Sequence, residues 1–434
     1  MIRRPPRSTP SNSSAASDVY KRQSVGLPFN HVFTAHKVVD TGLLRLARKK
    51  GMILPSSQYG NKSPGYPGAL VVSPEPGSYT NVVIVDFSRE YPSIIKQFNI
   101  SSETFLGEYS SIEDIPKDAA IVNISENKFY AFKKKPRGII KELVEKYWSQ
   151  RDKYEKLQRE AIADGDEKKA EAYKFSVRTA KEFLNSIYGV LAYRAFRLYK
   201  RECAEAIARV GYLGINELIN IINDLGHEVI GGDTDSAFFL KQPDESIEDL
   251  KEFISIVNEE LGSYAKATWN IDESPFKADL QRILSKMVIL TKKMYCGKSI
   301  WDDKHGFHVD YVWKGGAFLR SDSSELEKET IKTILKMYLD DKSPQEIQQY
   351  WNNTLKDFDA RKFTPYQVAY PLKVSKALEE IDGEYVAIGY KKYAPVHVKA
   401  CLYSNQHLGT DWRCLLYTSP SPRDLSTSRM PSSA

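Results

Sequence analysis

The stretch Gly231–Ser236, which is Gly-Gly-Asp-Thr-Asp-Ser, lies between two short apolar runs, Val229–Ile230 and Ala237–Leu240. β-Branched and aromatic residues around a Gly/Asp turn predict a tight β-hairpin. Its tip carries Asp233 and Asp235, and residues two apart in extended chain face the same side. Because two neighbouring carboxylates repel unless a cation lies between them, the hairpin leaves two alternatives open: a solvated acidic turn or a metal site.

A third acid stands at the end of another predicted strand. The β-branched run Val82–Val85 predicts a buried strand, Asp86 follows it directly, and a helix is predicted to begin near Tyr91. A single strand-ending Asp is more often a turn or cap residue than a ligand. Together with the hairpin acids, however, Asp86 completes a carboxylate cluster that can hold two hard divalent cations, with Mg²⁺ preferred.

Two long helical patterns, Ile139–Ala163 and Glu167–Tyr188, meet at the turn Asp164–Asp166 and predict an antiparallel helical hairpin. The second helix has an apolar stripe and, on another face, a cationic stripe made of Lys174, Arg178 and Lys181, which continues into Asn185 and Tyr188. Such a face is often only solvated, but stacked cations repel one another and suit an anionic partner. On the first helix, Arg151 interrupts an apolar stripe, from which arginine often snorkels to solvent.

A carboxylate cluster that binds metal and a basic helix that holds phosphate are the components of phosphoryl transfer, in which catalysis is mostly positioning and charge neutralisation. The remaining predicted elements are a helix at Asp40–Lys50, a connector at 59–80, short strands within 101–135, a helix at Glu202–Asp224, a helix near 245–266, strands around 286–295 and a mostly helical region at 323–358.

Composition limits the classes of protein. The 434 residues are 41% hydrophobic and 12% aromatic, as in globular proteins with several compact units. No apolar run approaches the roughly 20 residues of a membrane span. The four cysteines form no Cys-x-x-Cys pair, which argues against a zinc ribbon or disulfide framework and predicts a cytoplasmic protein, with a host nucleoid or viral replication site as further options.

The net charge of +6 comes mostly from the two ends, because residues 24–414 carry only +1. Overall basicity therefore does not indicate nucleic-acid binding, and local patches must carry that argument. The ends 1–23 and 414–434 are rich in Ser, Pro and Arg without periodicity, and they resemble translated sequencing adapter. We interpret both as artefactual or disordered tails and expect the natural chain to extend further.

Three motifs, in this order along the chain, resemble those of the family B DNA polymerases. They are Asp86–Ile95, Lys181-x-x-x-Asn185-Ser186-x-Tyr188-Gly189 and Gly232–Ser236. Weaker matches flank them: Tyr66–Ala69 resembles the connector between exonuclease and polymerase regions, Thr291–Tyr295 the lysine–tyrosine motif that contacts primer–template, and Lys314–Asp322 the start of the thumb. The resemblance covers about residues 28–400.

The resemblance implies a two-metal centre for DNA-templated DNA synthesis. Asp86, Asp235 and the backbone carbonyl of Phe87 would be the metal ligands, with Asp233 close by as the third catalytic acid. Two Mg²⁺ ions, for which Mn²⁺ can substitute, would activate the primer 3′-hydroxyl and steady the pyrophosphate leaving group.

It also implies a nucleotide site. The residues concerned are Phe87, Ser88, Arg89, Glu90, Tyr91, Arg151, Lys181, Asn185, Tyr188 and Gly189. Lys181 and Arg151 would grip the triphosphate together with the backbone amides of residues 88–90. Tyr91 would underlie the sugar and exclude a 2′-hydroxyl, and Gly189 would allow close approach to the nascent base pair.

The expected partners are primer–template DNA and deoxynucleoside triphosphates. The implied DNA contacts are Lys292, Lys293, Tyr295, Lys314, Gly315 and Arg320. These would hold phosphates and the duplex end without distinguishing base sequence, as a copying enzyme requires. No sliding clamp or other replisome partner is visible in the sequence, and no membrane partner is expected.

The chain departs from the family pattern at several positions. Arg89 and Glu90 stand where the family usually has Ser and Leu, which matters little if only their amides contact phosphate. Gly231 replaces a common Tyr before the third motif and is expected to loosen the hairpin. In the thumb motif Ala317 stands where Glu is usual, and Asp279 lies where the family often has a further Glu near the metals.

The resemblance implies an α+β right-hand fold with an antiparallel-sheet palm, a two-helix antiparallel fingers hairpin and a partial helical thumb. The implied boundaries are 24–80 for a remnant of the N-terminal connector, 81–137 and 190–300 for the palm, 138–189 for the fingers and 301–413 for the partial thumb. Because the acidic exonuclease motifs are absent from the sequence, we expect no proofreading, and the short thumb predicts poor processivity.

Two competing hypotheses belong to other classes. An RNA-dependent polymerase also has a palm with paired acids, but Tyr91 as sugar gate and the Lys181–Gly189 helix argue against it. A non-enzymatic relative that serves as a DNA-binding or scaffold module is the other, and the intact set Asp86, Asp233 and Asp235 weighs against it.

Overall fold

The computed structural model describes residues 34–57, 74–316, 320, 323–369, 378–381 and 384–387. The predicted tails, the Tyr66–Ala69 motif and Ala317 lie outside these residues. The chain divides into two compact units. Among the described residues, the first contains those up to Glu75, Thr80–Leu284 and Trp301–His308, and the second contains Pro76–Tyr79, Ser285–Ile300 and those from Val309 onward.

Helices and strands are mixed along the chain, as expected for an α+β fold. In the first half they are α1 (Ala35–Lys49), β1 (Gly77–Phe87), α2 (Glu90–Phe98), β2 (Phe105–Tyr109), β3 (Ala119–Ser125), β4 (Lys128–Lys133), α3 (Ile139–Ala163), α4 (Glu167–Leu191) and α5 (Arg201–Asp224). The second half contains β5 (Val229–Asp233), β6 (Ser236–Leu240), α6 (Ile247–Trp269), β7 (Ala278–Thr291), β8 (Met294–Asp302), β9 (Gly306–Lys314), α7 (Glu325–Leu339), α8 (Pro344–Asp359), α9 (Pro365–Val368), β10 (Leu378–Ile381) and β11 (Glu384–Ala387). No helix among the described residues is both long and apolar enough to span a bilayer.

The largest sheet has six strands in the order β5-β6-β1-β7-β8-β9. Strand β1 pairs antiparallel with β6, so that Val82 lies opposite Leu240 and Asp86 opposite Ser236. All four residues of the predicted run Val82–Val85 are buried, which is why this strand has a continuous apolar run instead of an alternating pattern. Its central position brings the end of β1 beside the tip of the β5–β6 hairpin.

The helical hairpin forms at the predicted residues, except that α4 continues three residues past Tyr188 to Leu191. Asp166 caps α4 by accepting a 3.0 Å hydrogen bond from the Lys169 amide, as N-cap aspartates do. Tyr147 stacks on Phe183 with ring centroids 3.6 Å apart. Because this contact joins the first half of α3 to the last part of α4, the two helices run antiparallel.

A smaller sheet occupies the region where the sequence predicted only unspecified short strands. Its order is β2-β4-β3, with both pairs antiparallel. Tyr130 of β4 is fully buried and donates a 2.7 Å hydrogen bond to Glu205 of α5. This bond satisfies the hydroxyl of a buried tyrosine and attaches the small sheet to α5.

Two predictions of local structure differ from the observed elements. Strand β1 begins at Gly77, inside the predicted connector 59–80. The predicted helical thumb at 301–413 begins instead with strand β9, and its helices start at Glu325. Within the second unit, Lys298 of β8 lies 2.7 Å from Asp340 at the end of α7. Both differences arise from strand pairing, which is non-local and is not visible in a short sequence window.

Candidate active site

A turn of two residues connects β5 to β6 in the hairpin. Asp233 lies opposite Ser236, and the Asp235 amide donates a 2.8 Å hydrogen bond to the Asp233 carbonyl. This i to i+2 bond closes a γ-turn around Thr234, whose φ is 64°. A β-branched residue at positive φ is strained. The strained turn keeps both acids at the tip of the hairpin.

A backbone hydrogen bond joins this tip to the end of β1. The Phe87 amide donates to the Asp235 carbonyl at 2.8 Å, directly beside the Asp86–Ser236 pair. The Phe87 ring is buried and stacks on Phe276 with centroids 4.8 Å apart. Because the ring is anchored in the core, the backbone at the end of β1 is held against the hairpin. The predicted acids Asp86 and Asp235, from two distant motifs, therefore lie at the same end of the strands of the sheet, here called the acidic edge.

A fourth carboxyl group lies beside these acids. Glu90 is only 5% exposed, and its Oε1 has no hydrogen-bond partner among the described residues. Burial first, and then the negative charges of Asp235 and Asp86, raise the pKa of Glu90 well above its ordinary value. The electrostatic environment therefore favours a cation, and the donor set consists of hard oxygen ligands.

The room for Glu90 is provided by a glycine on α5. A Cβ added at Gly211 would lie 2.8 Å from Glu90 Oε1. The sequence interpretation assigned only the amide of Glu90 to the site and missed its side chain. The signal that could have revealed it is an acid within a helix turn whose neighbours Pro92, Ile94 and Ile95 all face the core.

Gln281 of β7 is a second residue that sequence reasoning missed. Its Nε2 donates a 2.9 Å hydrogen bond to Asp86 Oδ2, which orients that carboxylate. Asp279 precedes it by two residues and so shares its face of the strand, where it forms an ion pair of 3.3 Å with Lys277. Only the pairing of β1 with β7 makes this glutamine a neighbour of Asp86.

Tyr91 and Tyr188, predicted to underlie the sugar and the base pair, lie together. Their ring centroids are 4.6 Å apart. Burial, and then Glu90, Tyr188 and Asp235, raise the pKa of Tyr91, so this hydroxyl stays protonated in the neutral range. The contact brings α2 and the last turns of α4 beside the acidic edge of the sheet.

The cationic stripe of α4 is exposed as predicted, at Lys174, Arg178, Lys181 and Asn185. Arg178 has a local partner, with its Nε 2.9 Å from Glu182. Lys181 forms no ion pair with another described residue. A Cβ at Gly189 would meet nothing within 4 Å, so packing within the described part of the chain does not require glycine there.

The two arginines predicted to contact nucleotide already have acidic partners on α3. Arg89 Nη2 lies 2.6 Å from Asp152 and 3.3 Å from Glu155, and its guanidinium stacks over Trp148 at 4.6 Å. Arg151 Nε lies 2.6 Å from the other oxygen of Glu155. Glu155 therefore connects the turn after β1 to the helical hairpin.

Of the three amides predicted to contact phosphate, that of Ser88 is engaged within the chain, since it donates to the Lys277 carbonyl at 2.9 Å. The unusual Gly231 also has a packing reason. A Cβ at Gly231 would lie 2.8 Å from Cβ of Pro74, so the proline fills the space beside this strand. Pro74, in the segment before β1, thus packs against the strand at Gly231, and the expected loosening of the hairpin stays a prediction.

The predicted DNA contacts lie mainly around the β7–β8 turn in the second unit. Lys292 and Lys293 are exposed, and Tyr295 is buried. A Cβ at Gly315 would lie only 2.2 Å from the Lys293 carbonyl, and Gly315 has a φ of 62°, so both sterics and backbone conformation require glycine. Lys314 and Arg320 are exposed.

Comparison with known proteins gives one family. The family model for DNA polymerase family B matches residues 28–399 of this chain. "DNA polymerase 2" of Aeropyrum pernix is 29% identical over 339 residues, which are 77% of this chain and 38% of that protein. "DNA polymerase" of Archaeoglobus fulgidus is 29% identical over 310 residues, 71% of this chain and 35% of that protein.

A solved structure has the same fold. The family B DNA polymerase of Pyrobaculum calidifontis superposes with a TM-score of 0.59 at 23% identity, covering 91% of this chain and 46% of that one. The chain thus spans little more than a third of the length of the curated relatives above.

Proposed function

The chain belongs to DNA polymerase family B, and from this premise we propose that it is a polymerase core that adds deoxynucleotides to a primer 3′-hydroxyl under the direction of a DNA template. The observation that carries the proposal is the 2.8 Å bond from the Phe87 amide to the Asp235 carbonyl. It supports a single site built from Asp86 of the first motif and Asp235 of the third.

In this proposal Asp86, Asp235 and the carbonyl of Phe87 hold two divalent cations, Mg²⁺ by preference, with Asp233 beside them. The donor set fits, because it consists of oxygen atoms in surroundings where burial, and then negative charge, raise the pKa of Glu90. When bound, such ions lower the pKa of a coordinated hydroxyl and neutralise charge on a transferring phosphoryl group. Gln281 keeps the Asp86 carboxylate oriented through its 2.9 Å hydrogen bond.

Cations on the helical hairpin bind the triphosphate. Lys181 is exposed, so its ammonium group can meet an anion without losing an existing pair. Arg151 is held by Glu155 at 2.6 Å, and its contact with a phosphate would weaken that ion pair. The rings of Tyr91 and Tyr188 lie 4.6 Å apart beside the acids, and in this proposal Tyr91 lies beneath the sugar and excludes a 2′-hydroxyl.

Around this centre we propose the right-hand arrangement, with a palm at 81–137 and 190–300, fingers at 138–189 and a partial thumb at 301–413. Lys292, Lys293, Lys314 and Arg320 would contact the phosphates of the primer–template duplex. Phosphate contacts of this kind position a duplex without specifying its sequence. We further propose that this chain does not remove mismatched 3′ ends.

Primer extension tests the proposal. The chain should extend a labelled DNA primer on a DNA template with deoxynucleotides and Mg²⁺, and much less with ribonucleotides. Asp235→Asn should reduce the rate by at least about a hundredfold, whereas Asp244→Asn, at an exposed acid just after β6, should leave it unchanged. Extension unaffected by Asp235→Asn would contradict the metal assignment, and removal of a 3′ mismatch would contradict the absence of proofreading.

A further inference from the structure

A cluster of metal-ligating side chains lies at the turn between β8 and β9. Asp302 ends β8, His305 lies in the turn and His308 is on β9. One ligand atom from each of these residues lies within 4.8 Å of the others. The three residues lie close together in sequence and within the first unit.

The carboxylate of Asp302 is held in place by the turn. Asp302 is 3% exposed, and its Oδ1 accepts hydrogen bonds from the amides of Lys304 at 2.8 Å and His305 at 2.9 Å. The turn then reverses at Gly306, whose φ is 71°. Because the backbone occupies Oδ1, the orientation of Oδ2 is fixed before any ligand binds.

Both imidazoles lie against this fixed carboxylate. His305 Nδ1 is 3.1 Å from Oδ1 and 3.2 Å from Oδ2 of Asp302, and His308 Nε2 is 3.3 Å from Oδ2. In a tetrahedral site with metal–ligand distances of about 2.0–2.2 Å, neighbouring ligand atoms are separated by about 3.3–3.6 Å. The two separations between a histidine nitrogen and Oδ2 of Asp302, 3.2 and 3.3 Å, are close to these values.

The surroundings of His308 also favour one tautomer of its imidazole. Its Nδ1 lies 3.4 Å from the Gly306 carbonyl, to which an Nδ1–H group can donate. That leaves the lone pair of Nε2 directed towards the Asp302 carboxylate, in the way that metal-bound histidines are oriented by a carbonyl acceptor. The side chains of His305 and His308 are 67% and 32% exposed, so an ion can enter directly from solvent.

We propose that Asp302, His305 and His308 form a binding site for one divalent transition-metal ion of the Zn²⁺ type, which shares no residue with the carboxylate centre. Two imidazoles and one carboxylate suit Zn²⁺, Co²⁺, Ni²⁺ or Cu²⁺, whereas Mg²⁺ prefers oxygen ligands. A fourth position remains for water. The bound ion links the end of β8, the turn and β9, and it stabilises this hairpin while Mg²⁺ occupies the other centre.

Cobalt is a suitable probe because its visible absorption reports coordination. The full chain is titrated with CoCl₂ in an excess of MgCl₂, first unchanged and then as the double variant His305→Gln/His308→Gln. We expect the unchanged chain to bind one equivalent of Co²⁺ saturably and to show a visible absorption band. In the double variant the affinity for Co²⁺ should be at least about tenfold lower. The matched control His36→Gln changes a half-buried histidine on α1 that packs against Tyr193 and should leave the titration unchanged.

Thermal unfolding gives the second measurement. Zn²⁺ should raise the Tm of the unchanged chain and of the Asp235→Asn variant, each relative to its own value in EDTA, but should not raise that of the double variant. In EDTA the double variant should have the same Tm as the unchanged chain, which would indicate that its two substitutions do not destabilise the fold. A cobalt band or a Zn²⁺-dependent rise in Tm that persists in the double variant would overturn the proposal, as would the absence of any saturable cobalt signal.

Discussion

The acidic edge of the large sheet and the cationic face of α4 are built in opposite ways. The acids come from motifs far apart in the chain, Asp86 and Asp235, and strand pairing joins them. They are half-buried, and the pKa of Glu90 is raised first by burial and then by their charges. The cations come from one helix, lie in solvent and need only the helical period to align.

Because of this difference, substitutions in the two regions should affect activity and stability differently. Crowded, half-buried like charges destabilise the folded chain when no cation is present. When a cation is bound, each of these carboxylates can contribute strongly to activity. Exposed cations on a helix are screened by water and add little to folding. We therefore expect substitutions at the acidic edge to change activity and stability in opposite directions, and substitutions on the cationic face to change substrate affinity alone.

The largest effect is expected for Asp86→Asn. This substitution should lower the rate of primer extension by at least about a hundredfold, because it removes a metal ligand. In EDTA it should also raise the Tm, since it removes one of the charges that converge on Glu90. Steady-state primer extension and thermal unfolding check the two parts, with Asp244→Asn as the control. A lower Tm in EDTA would contradict the proposed repulsion.

An intermediate effect is expected for Lys181→Met. The KM for deoxynucleotides should rise by about tenfold, in line with the loss of one charge-assisted contact to phosphate, while the Tm stays the same. Lys168→Met changes another exposed lysine, in the first turn of the same helix, and should alter neither quantity. If Lys168→Met raised the KM as much as Lys181→Met, the effect would be caused by the loss of overall charge and not by the position of Lys181.

The smallest effect concerns Glu90 and the pH dependence of stability. The folded chain binds the Glu90 proton more tightly than the unfolded chain, because the folded pKa is raised well above 4.5. The free energy of unfolding therefore falls as pH rises from the unfolded pKa to the folded one, by about 1.4 kcal/mol per unit of difference.

Glu90→Leu should remove that decline and make the chain more stable than the unchanged protein at neutral and higher pH. Urea unfolding at several pH values in EDTA measures it. Parallel pH profiles for the two chains would show that Glu90 is not the group responsible.

Much of the local structure could be predicted from sequence. The helical hairpin needed only its 3.6-residue period and the turn at Asp164–Asp166, and the observed helices match except for three residues after Tyr188. The β5–β6 hairpin needed only the Gly/Asp turn between apolar runs. These elements depend on neighbours within a few residues, so their signals lie in the chain itself.

Several of the unpredicted features depend on partners distant in sequence. Gln281 contacts Asp86 only because β7 pairs with β1. Arg89, which was assigned to the nucleotide site, is tied by its side chain to Asp152 and Glu155 on α3. Strand β9 was not predicted, because its neighbours in the sheet do not appear in its own sequence window.

By itself, the sequence determined which residue types are available and where the helices and tight turns form, because propensity and periodicity act over short distances. It also carried the three motifs of the family. Only the tertiary structure decided that Glu90 is buried beside the acids, that Pro74 takes the space next to Gly231, and which donors orient the carboxylates. Those outcomes depend on packing and strand register between segments that meet only in the folded chain.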